Sequence, residues 1–388
     1  MLSAAHRTVI RDTLPVVGGA IDTITPNFYR RLFTAHPELE RDLFNRGNQA
    51  VGAQQRSLAA SIAMYATAVV DDAVDASSML ERVANKHASL GVAPEQYPVV
   101  YDHLFAAIAE VLGEAVTPEV TQAWTALYWQ LAEELIAIEA ELYRRAEVSP
   151  DTVWRAVVVA ERRQESPHTV AFVMADPDGA PLPAFQPGQY ISVAVTLPDG
   201  AHQIRQYSLS GAGVGRWRIG VRRDGEVSTH LHEYAFEGTR LSVSPPFGDI
   251  VLDSDPSVPL LLASAGIGIT PVLGMLYHLA EEGGDRSVRV AHADRSRATH
   301  AHRAELSELV QRIPGATLHV WYDDLPDPYP LIDGERRGRI DVSTLPMRPD
   351  THAYLCGPMP FMTGLADQLR RCGLPREQVW FEAFTPTV

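Results

Sequence analysis

The stretch Leu260-Leu261-Leu262-Ala263-Ser264-Ala265-Gly266-Ile267-Gly268-Ile269-Thr270-Pro271 decides the architecture of the C-terminal part of this chain. Its first half is a continuous apolar run of strand length, as expected of a strand covered on both faces. Its second half is a glycine turn that opens a helix. Glycines let the backbone come close to a ligand. Thr270 suits the N-cap and Pro271 the first helical turn. The free amides and the dipole of such a helix start favour a phosphate. The segment is not the G-x-G-x-x-G dinucleotide fingerprint, so alone it leaves open a plain strand–turn–helix.

Around this stretch the pattern continues. Ser287 to Ala293 and Thr317 to Tyr322 read as strands with a helix between them, and His352 to Leu355 as a strand ending at Cys356-Gly357-Pro358. Strands alternating with helices from about residue 255 onward predict a parallel sheet with covering helices. Residues 151 to about 253 differ: Thr152 to Val159, Tyr190 to Leu197, Trp217 to Val221 and Arg240 to Ser244 are short β-rich runs. Turn clusters such as Asp176-Pro177-Asp178-Gly179 and Leu197-Pro198-Asp199-Gly200 separate them. That spacing predicts a small antiparallel barrel or sandwich.

Residues 1 to about 147 read as helix throughout, and about seven helices fit. Leu58, Ile62, Tyr65 and Val69 recur at helical spacing, as do Tyr128, Leu131, Leu135, Ile138 and Leu142. Prolines are read as confined to turns or helix starts: Pro37, Pro94, Pro98 and Pro118. Thr117-Pro118-Glu119 predicts an N-cap followed by proline at the first helical position. The expected domains are 1–147, all-α; 148–254, an antiparallel β-barrel; and 255–388, α/β with a parallel sheet.

Composition narrows the class. The chain has 388 residues, 46% hydrophobic and 21% charged, with a formal net charge of -15. An acidic surface does not suit a nucleic-acid backbone. Two cysteines, Cys356 and Cys372, make a disulfide framework or cysteine metal site unexpected and fit a reducing cytoplasm. The N-terminus has no signal-peptide pattern, and no apolar run approaches the roughly 20 residues of a membrane span.

Two sets of residues carry chemistry. Arg205-Gln206-Tyr207-Ser208 combines a cation, an aromatic face and a hydroxyl, with Arg205 and Tyr207 on one face of an extended strand. About 20 residues later, Gly225-Glu226-Val227-Ser228 is a glycine turn leading into a helix suited to a pyrophosphate. In the helical part, Leu80, Val83, Ala84, His87 and Leu90 share one face. A histidine there is either a satisfied core residue or a metal ligand whose other ring nitrogen donates to a partner. Tyr97 and Glu139 are the candidate partners. Glu139 lies among apolar positions, so it is either solvated at the edge of that face or meets a donor inside.

The R-x-Y-S segment, the G-x-G-x-T-P turn and the C-G-P segment together resemble the ferredoxin–NADP reductase family. Asn27-Phe28-Tyr29-Arg30-Arg31-Leu32-Phe33, His36-Pro37-Glu38-Leu39, Leu43-Phe44-Asn45, Lys86-His87, Pro94-Glu95-Gln96-Tyr97 and Glu139-Ala140-Glu141-Leu142-Tyr143 resemble the globin of bacterial and yeast flavohaemoglobins. The resemblance covers nearly the whole chain. It implies a haem b globin, an FAD-binding barrel and a nicotinamide-binding domain using NADH or NADPH.

Carried over, it makes His87 the proximal iron ligand, oriented by Tyr97 and Glu139. Tyr29 becomes the distal hydroxyl, with Gln54 beside it unless the adjacent Gln55 takes that place. Phe44 and Leu58 would line the haem, and Lys86 would sit at the haem–flavin junction. Tyr190, Arg205, Gln206, Tyr207, Ser208, Val227 and Ser228 would line FAD, with Phe384 covering its ring. Gly266, Gly268, Thr270, Pro271, Cys356, Gly357 and Pro358 would line the dinucleotide.

The activity implied is oxidation of nitric oxide to nitrate with O2 by a cytoplasmic monomer. A haem-based sensor or carrier, or a reductase of hydroperoxides or quinones, stands as the alternative. The sequence departs from the family around Phe384, where the preceding cysteine and following glycine are replaced by Ala383 and Thr385-Pro386. It departs again at Asp294-Arg295-Ser296-Arg297, whose two arginines either grip a 2′-phosphate and allow NADPH or form a solvated surface loop.

Overall fold

The computed structural model describes residues 2–384 apart from residues 51, 72, 212, 326–329 and 333. Thr385 and Pro386 therefore lie outside the described residues. Seven α-helices come first among the described residues: α1 (Ala4–Ala35), α2 (Pro37–Asp42), α3 (Arg46–Ala50), α4 (Ala53–Val70), α5 (Ser77–Leu90), α6 (Gln96–Leu112) and α7 (Pro118–Arg145). Thr117 caps α7 as expected, its hydroxyl accepting from the amide of Val120 at 3.3 Å, with Pro118 at the first position.

The proline reading fails in α1. Pro15 and Pro26 both lie inside that 32-residue helix. A proline removes one helical hydrogen bond. Here tertiary packing outweighs that loss, because Ile10, Val17, Ile24, Phe28, Tyr29 and Leu32 are all buried in the helical core.

The second part is a six-stranded antiparallel sheet built from β1 (Arg155–Ser166), β2 (Thr169–Ala175), β3 (Tyr190–Thr196), β4 (His202–Ser208), β5 (Trp217–Arg222) and β6 (Arg240–Val243), in the order β4-β3-β6-β1-β2-β5. Its two edge strands meet where Leu209 bridges Ile219 and the Ser210 amide donates to the Arg218 carbonyl at 2.8 Å. This closes the sheet into a barrel and removes the exposed edges. Helix α8 (Glu226–Tyr234) lies between β5 and β6. The first strand differs from expectation: Pro150–Thr152 forms a 3-10 turn held by Ser149 and Thr152, so β1 begins only at Arg155 and then runs to Ser166.

The third part is a parallel sheet of β7 (Leu260–Ala265), β8 (Val288–Asp294), β9 (Ala316–Tyr322), β10 (Glu335–Arg337), β11 (His352–Cys356) and β12 (Val379–Glu382), with helices α9 (Ile269–Glu282), α10 (Arg303–Gln311) and α11 (Met359–Arg371). The order β10-β9-β8-β7-β11-β12 reverses direction between β7 and β11. Open α/β sheets bind ligands outside the carboxyl ends of the strands at such a switch point. No helix among the described residues is long and apolar enough to cross a membrane.

A buried polar cluster joins the barrel to the parallel sheet. Arg218 of β5 pairs with Glu305 of α10 at 2.6 Å, and Tyr277 of α9 donates to the same carboxylate oxygen at 2.6 Å. His302 meets the other oxygen at 2.8 Å and Glu165 of β1 at 3.3 Å, while Arg163 lies 3.5 Å from Glu305. Burial raises the Glu305 carboxyl, but His302, Arg218 and Tyr277 outweigh it and hold it at about 2. A depressed carboxyl contributes stability above its ordinary value of 4.5, which is lost as pH falls toward about 2. Arg218→Ala should therefore destabilise the barrel and parallel-sheet parts by ~3 kcal/mol. It should also flatten the loss of stability between about pH 4.5 and 2. Denaturant unfolding across that pH range measures both effects.

Candidate functional site

Two groups of sequence-predicted residues converge in the helical domain. His87 sits in the last turn of α5, and its Nδ1 lies 2.7 Å from Glu139 Oε1 and 3.2 Å from the Tyr97 hydroxyl. Tyr97 itself donates to Glu139 Oε1 at 2.6 Å. Glu139 is only 2% exposed, which settles its two readings in favour of a carboxylate that meets donors inside. Tyr128 braces the group by donating to the Tyr97 carbonyl at 2.7 Å. Burial and then Glu139 push the Tyr97 phenol far above its ordinary range, so it remains a donor.

The donor set fits a haem iron. A carboxylate on Nδ1 fixes the imidazole tautomer and leaves Nε2 to ligate. Among the described residues, no protein group bonds Nε2 of His87.

The second group gathers around Tyr29. Its ring lies 5.8 Å from Phe44, 5.5 Å from Phe33 and 4.7 Å from Phe28. Burial pushes its phenol well up, partly offset by a hydrogen bond from the side chain of Gln54. Gln55 turns elsewhere, donating to the Gln49 side chain at 2.9 Å, so Gln54 is the residue beside Tyr29. Leu58 is a half-buried member of the same apolar core.

Helix α5 has a second polar face. Arg82, Asn85, Lys86 and Ser89 follow three- and four-residue spacing and project along one stripe. Asn85 accepts from the Gly248 amide at 2.8 Å, and Arg82 reaches Asp249 at 3.4 Å and the Phe381 carbonyl at 3.3 Å. Ser192 of β3 donates to Ser89 at 2.9 Å, and Gln206 of β4 donates to Ser192 at 2.8 Å. Lys86 closes the set by donating to Gln206. Lys86 is exposed by accessible surface, although crowded at the domain junction. Desolvation first, and Arg205 second, pull its ammonium below its ordinary value against the pull of Glu382. Burial and Asp249 push Glu382 up to about 8.

On the barrel, β3 and β4 pair Tyr190 with Ser208, Ile191 with Tyr207 and Val193 with Arg205. Arg205 reaches Glu226, the first residue of α8, at 3.2 Å. Gly225 before it has a φ of 86°, which an L side chain would strain. Val227 and Ser228 are buried, and the Ser228 hydroxyl ties the turn by bonding the Asp224 amide and carbonyl, each at 2.7 Å. A cation, an aromatic face and a helix N-terminus on one surface fit a dinucleotide flavin.

The glycine turn after β7 and the segment after β11 meet at the switch point. Gly266-Ile267-Gly268 forms a 3-10 turn running directly into α9. Thr270 is therefore not the N-cap: it already lies inside the helix, and its hydroxyl donates back to the Ile267 carbonyl at 3.0 Å. Pro271 falls in the first turn as expected. Pro271 and Cys356 line a narrow cleft with Glu382 and with Gly188 and Ile250 of the preceding part. Burial, reinforced by Glu382, raises the Cys356 thiol well above its ordinary range. Pro358 precedes α11, adjoining Gly357. Phe384 is 46% exposed.

The arginine loop departs from expectation. Arg297 is engaged by Glu335, with Nε at 3.0 Å, and by the Pro330 carbonyl at 2.8 Å. An arginine already holding a carboxylate is poorly placed to grip a phosphate, which leaves the exposed Arg295. Several contacts were not read from the sequence. Gln203 is fully buried and donates to the carbonyls of Arg41 at 3.0 Å and Phe44 at 3.2 Å, satisfying groups at the end of α2. Arg46, Ser89, Ser192 and Glu382 also escaped, because their partners lie far away in the chain.

Residues 26–135 match the globin family, and residues 262–367 match the oxidoreductase NAD-binding domain family. A flavohemoprotein of Bordetella pertussis is 41% identical over 99% of this chain and 98% of its own length. A flavohemoprotein of Rhizobium meliloti is 39% identical over 100% of this chain and 99% of its own. The crystal structure of flavohemoglobin from Malassezia yamatoensis, with bound FAD and heme, is similar with a TM-score of 0.91 at 37% identity, covering 99% of both chains. The flavohem-like FAD/NAD-binding domain of nitric oxide dioxygenase from Vibrio cholerae aligns with 59% of this chain and 98% of its own at 32% identity and a TM-score of 0.55.

Fold and matches together define a class: a helical globin followed by an antiparallel barrel and a parallel-sheet NAD-binding domain. Within that class, this chain belongs to the flavohaemoprotein family.

A Cβ on Gly268 would fall 2.2 Å from the Cys356 carbonyl oxygen, a backbone atom that cannot yield cheaply. Gly268→Ala should push β7 and β11 apart at the switch point. We expect loss of ~2 kcal/mol of stability and a weakening of NADH affinity of at least about tenfold. Thermal unfolding and NADH titration read these separately.

Proposed function

We propose that this protein is an NAD(P)H-dependent nitric oxide dioxygenase, converting nitric oxide and O2 to nitrate and so removing nitric oxide. The observation that carries the reading is α5. One side presents His87 to Glu139 and Tyr97, and its polar stripe docks on the barrel and on the chain end at Phe381. When bound, the nicotinamide, FAD and haem b would supply hydride, two-to-one electron chemistry and a redox-active iron, respectively.

The chain's own residues do the rest. His87 offers Nε2 to iron, and Glu139 accepts the proton-bearing Nδ1, which raises the basicity of the ligand. That electron donation favours activating oxygen over storing it. Tyr29, kept protonated by burial, is a donor for negative charge developing on the substrate, and Gln54 orients it. Phe44 and Leu58 wall the pocket and exclude water.

Arg205, Gln206, Tyr207, Ser208, Tyr190, Val227 and Ser228 hold the flavin, with Lys86 at its haem side and Phe384 over the ring. Gly266, Gly268, Thr270, Pro271, Cys356, Gly357 and Pro358 hold the nicotinamide nucleotide. We take 1–147, 148–254 and 255–388 as the domains of a cytoplasmic monomer acting on small molecules.

The test is nitric oxide consumption in air with NADH, with recovery of nitrate. Nitrate failing to form on fully haem-loaded protein would sink the reading and favour a sensor or carrier. Tyr29→Phe removes one preorganised donor and should slow turnover by about 10²-fold with haem absorbance unchanged. Arg295 alone faces the nucleotide's 2′ position in this reading. Arg295→Ala should then lower kcat/KM for NADPH by about tenfold while sparing NADH. An unchanged NADPH/NADH ratio would exclude that role.

A further inference from the structure

We propose that Arg46, carried by the helical domain, is part of the flavin-phosphate site and makes flavin affinity depend on docking of the two domains. The proposal rests on the flavin site described above. Arg46 opens α3, yet its side chain lies on the barrel: Nη1 is 2.8 Å from Asp199 and Nη2 is 2.9 Å from Glu226. Its amide donates to the Gln203 side chain at 3.3 Å, which itself holds the end of α2. The guanidinium, carried by the helical domain, is thus held by two carboxylates of the barrel.

Glu226 is the point of convergence. One carboxylate oxygen takes Arg46 and the other takes Arg205 at 3.2 Å, so a single acid is clamped by arginines from two domains. Glu226 is also the first residue of α8, directly after the Gly225 turn. That helix start is where the pyrophosphate is expected, and a carboxylate there satisfies the helix dipole itself. It would repel an incoming phosphate unless neutralised.

The exchange follows from charge. A pyrophosphate arriving at α8 recruits Arg205, its nearest cation in the barrel. Glu226 then keeps only Arg46 as counter-ion. With Arg46 in place, the acid is neutralised and held toward Asp199. Without it, an unpaired carboxylate faces a doubly charged ligand. These side chains are between about a fifth and a third exposed, with 32% for Arg46, 34% for Glu226 and 21% for Arg205, so solvent screens them incompletely.

The experiment uses the full haem-loaded chain stripped of flavin, with FAD and riboflavin as probes and flavin fluorescence as the readout. Arg46→Ala should weaken FAD binding by about tenfold, because Glu226 is left unneutralised beside the pyrophosphate. Riboflavin, which carries no phosphate, should bind the variant within about twofold of the unaltered chain. Adding Glu226→Gln to Arg46→Ala should restore most of the FAD affinity, and Arg46→Lys should keep part of it. Haem absorbance and thermal midpoint verify folding.

Unchanged FAD affinity in Arg46→Ala, or equal losses for FAD and riboflavin, would overturn the proposal. An unaltered chain that binds no FAD would overturn the flavin site itself, and this proposal with it. Tight FAD binding by the unaltered chain isolates the role of Arg46.

Discussion

A carboxylate buried in an apolar helical core must meet donors or be expelled, and Glu139 meets two. Its single oxygen Oε1 takes both His87 and Tyr97. That demand orients the imidazole, fixes which nitrogen stays available and joins α5, α6 and α7 at one point. The remaining architecture builds on α5 because a helix has two sides. While His87 turns to Glu139, the stripe of Arg82, Asn85, Lys86 and Ser89 meets the barrel and the chain end. One rigid element carries both His87 and the contacts to the barrel.

The sequence carried the fold further than it carried the junctions. Strand and helix periods are local, so seven helices, the β-rich middle and the strand–helix alternation were legible, as was the extended strand at Arg205. The failures are local rules overridden by tertiary packing. Pro15 and Pro26 persist in α1 because its apolar side is buried along its length. Thr270 is drawn into α9 because the glycine turn coils as 3-10 rather than stopping as a loop.

Within the site, the sequence named the residues and left their partners open. Glu139 could have been solvated, and Gln54 could have exchanged roles with Gln55. Both choices depend on which side of a neighbouring helix faces inward, which no single segment reveals. Residues that join domains were invisible for a different reason. Arg46 finds Glu226 across 180 positions, and Ser89 finds Ser192 across 103. Nothing in a lone arginine or serine marks such a partner.

The two junctions obey different chemistry. The barrel meets the parallel sheet through a compact charged cluster, where Arg218 and Glu305 are buried together with His302 and Glu165. Breaking such a cluster is costly because each ion left behind is unpaired. The helical domain meets the barrel through hydrogen bonds at Ser192 and Gln203, through ion pairs of Arg46 and Arg82, and through an apolar contact of Ala88 and Tyr143 with Tyr190 and Phe247. Under the role proposed for Arg46, ligand binding at the flavin-phosphate region biases domain docking. Linkage then requires the converse: whatever tightens the docking of α3 on the barrel also tightens the flavin.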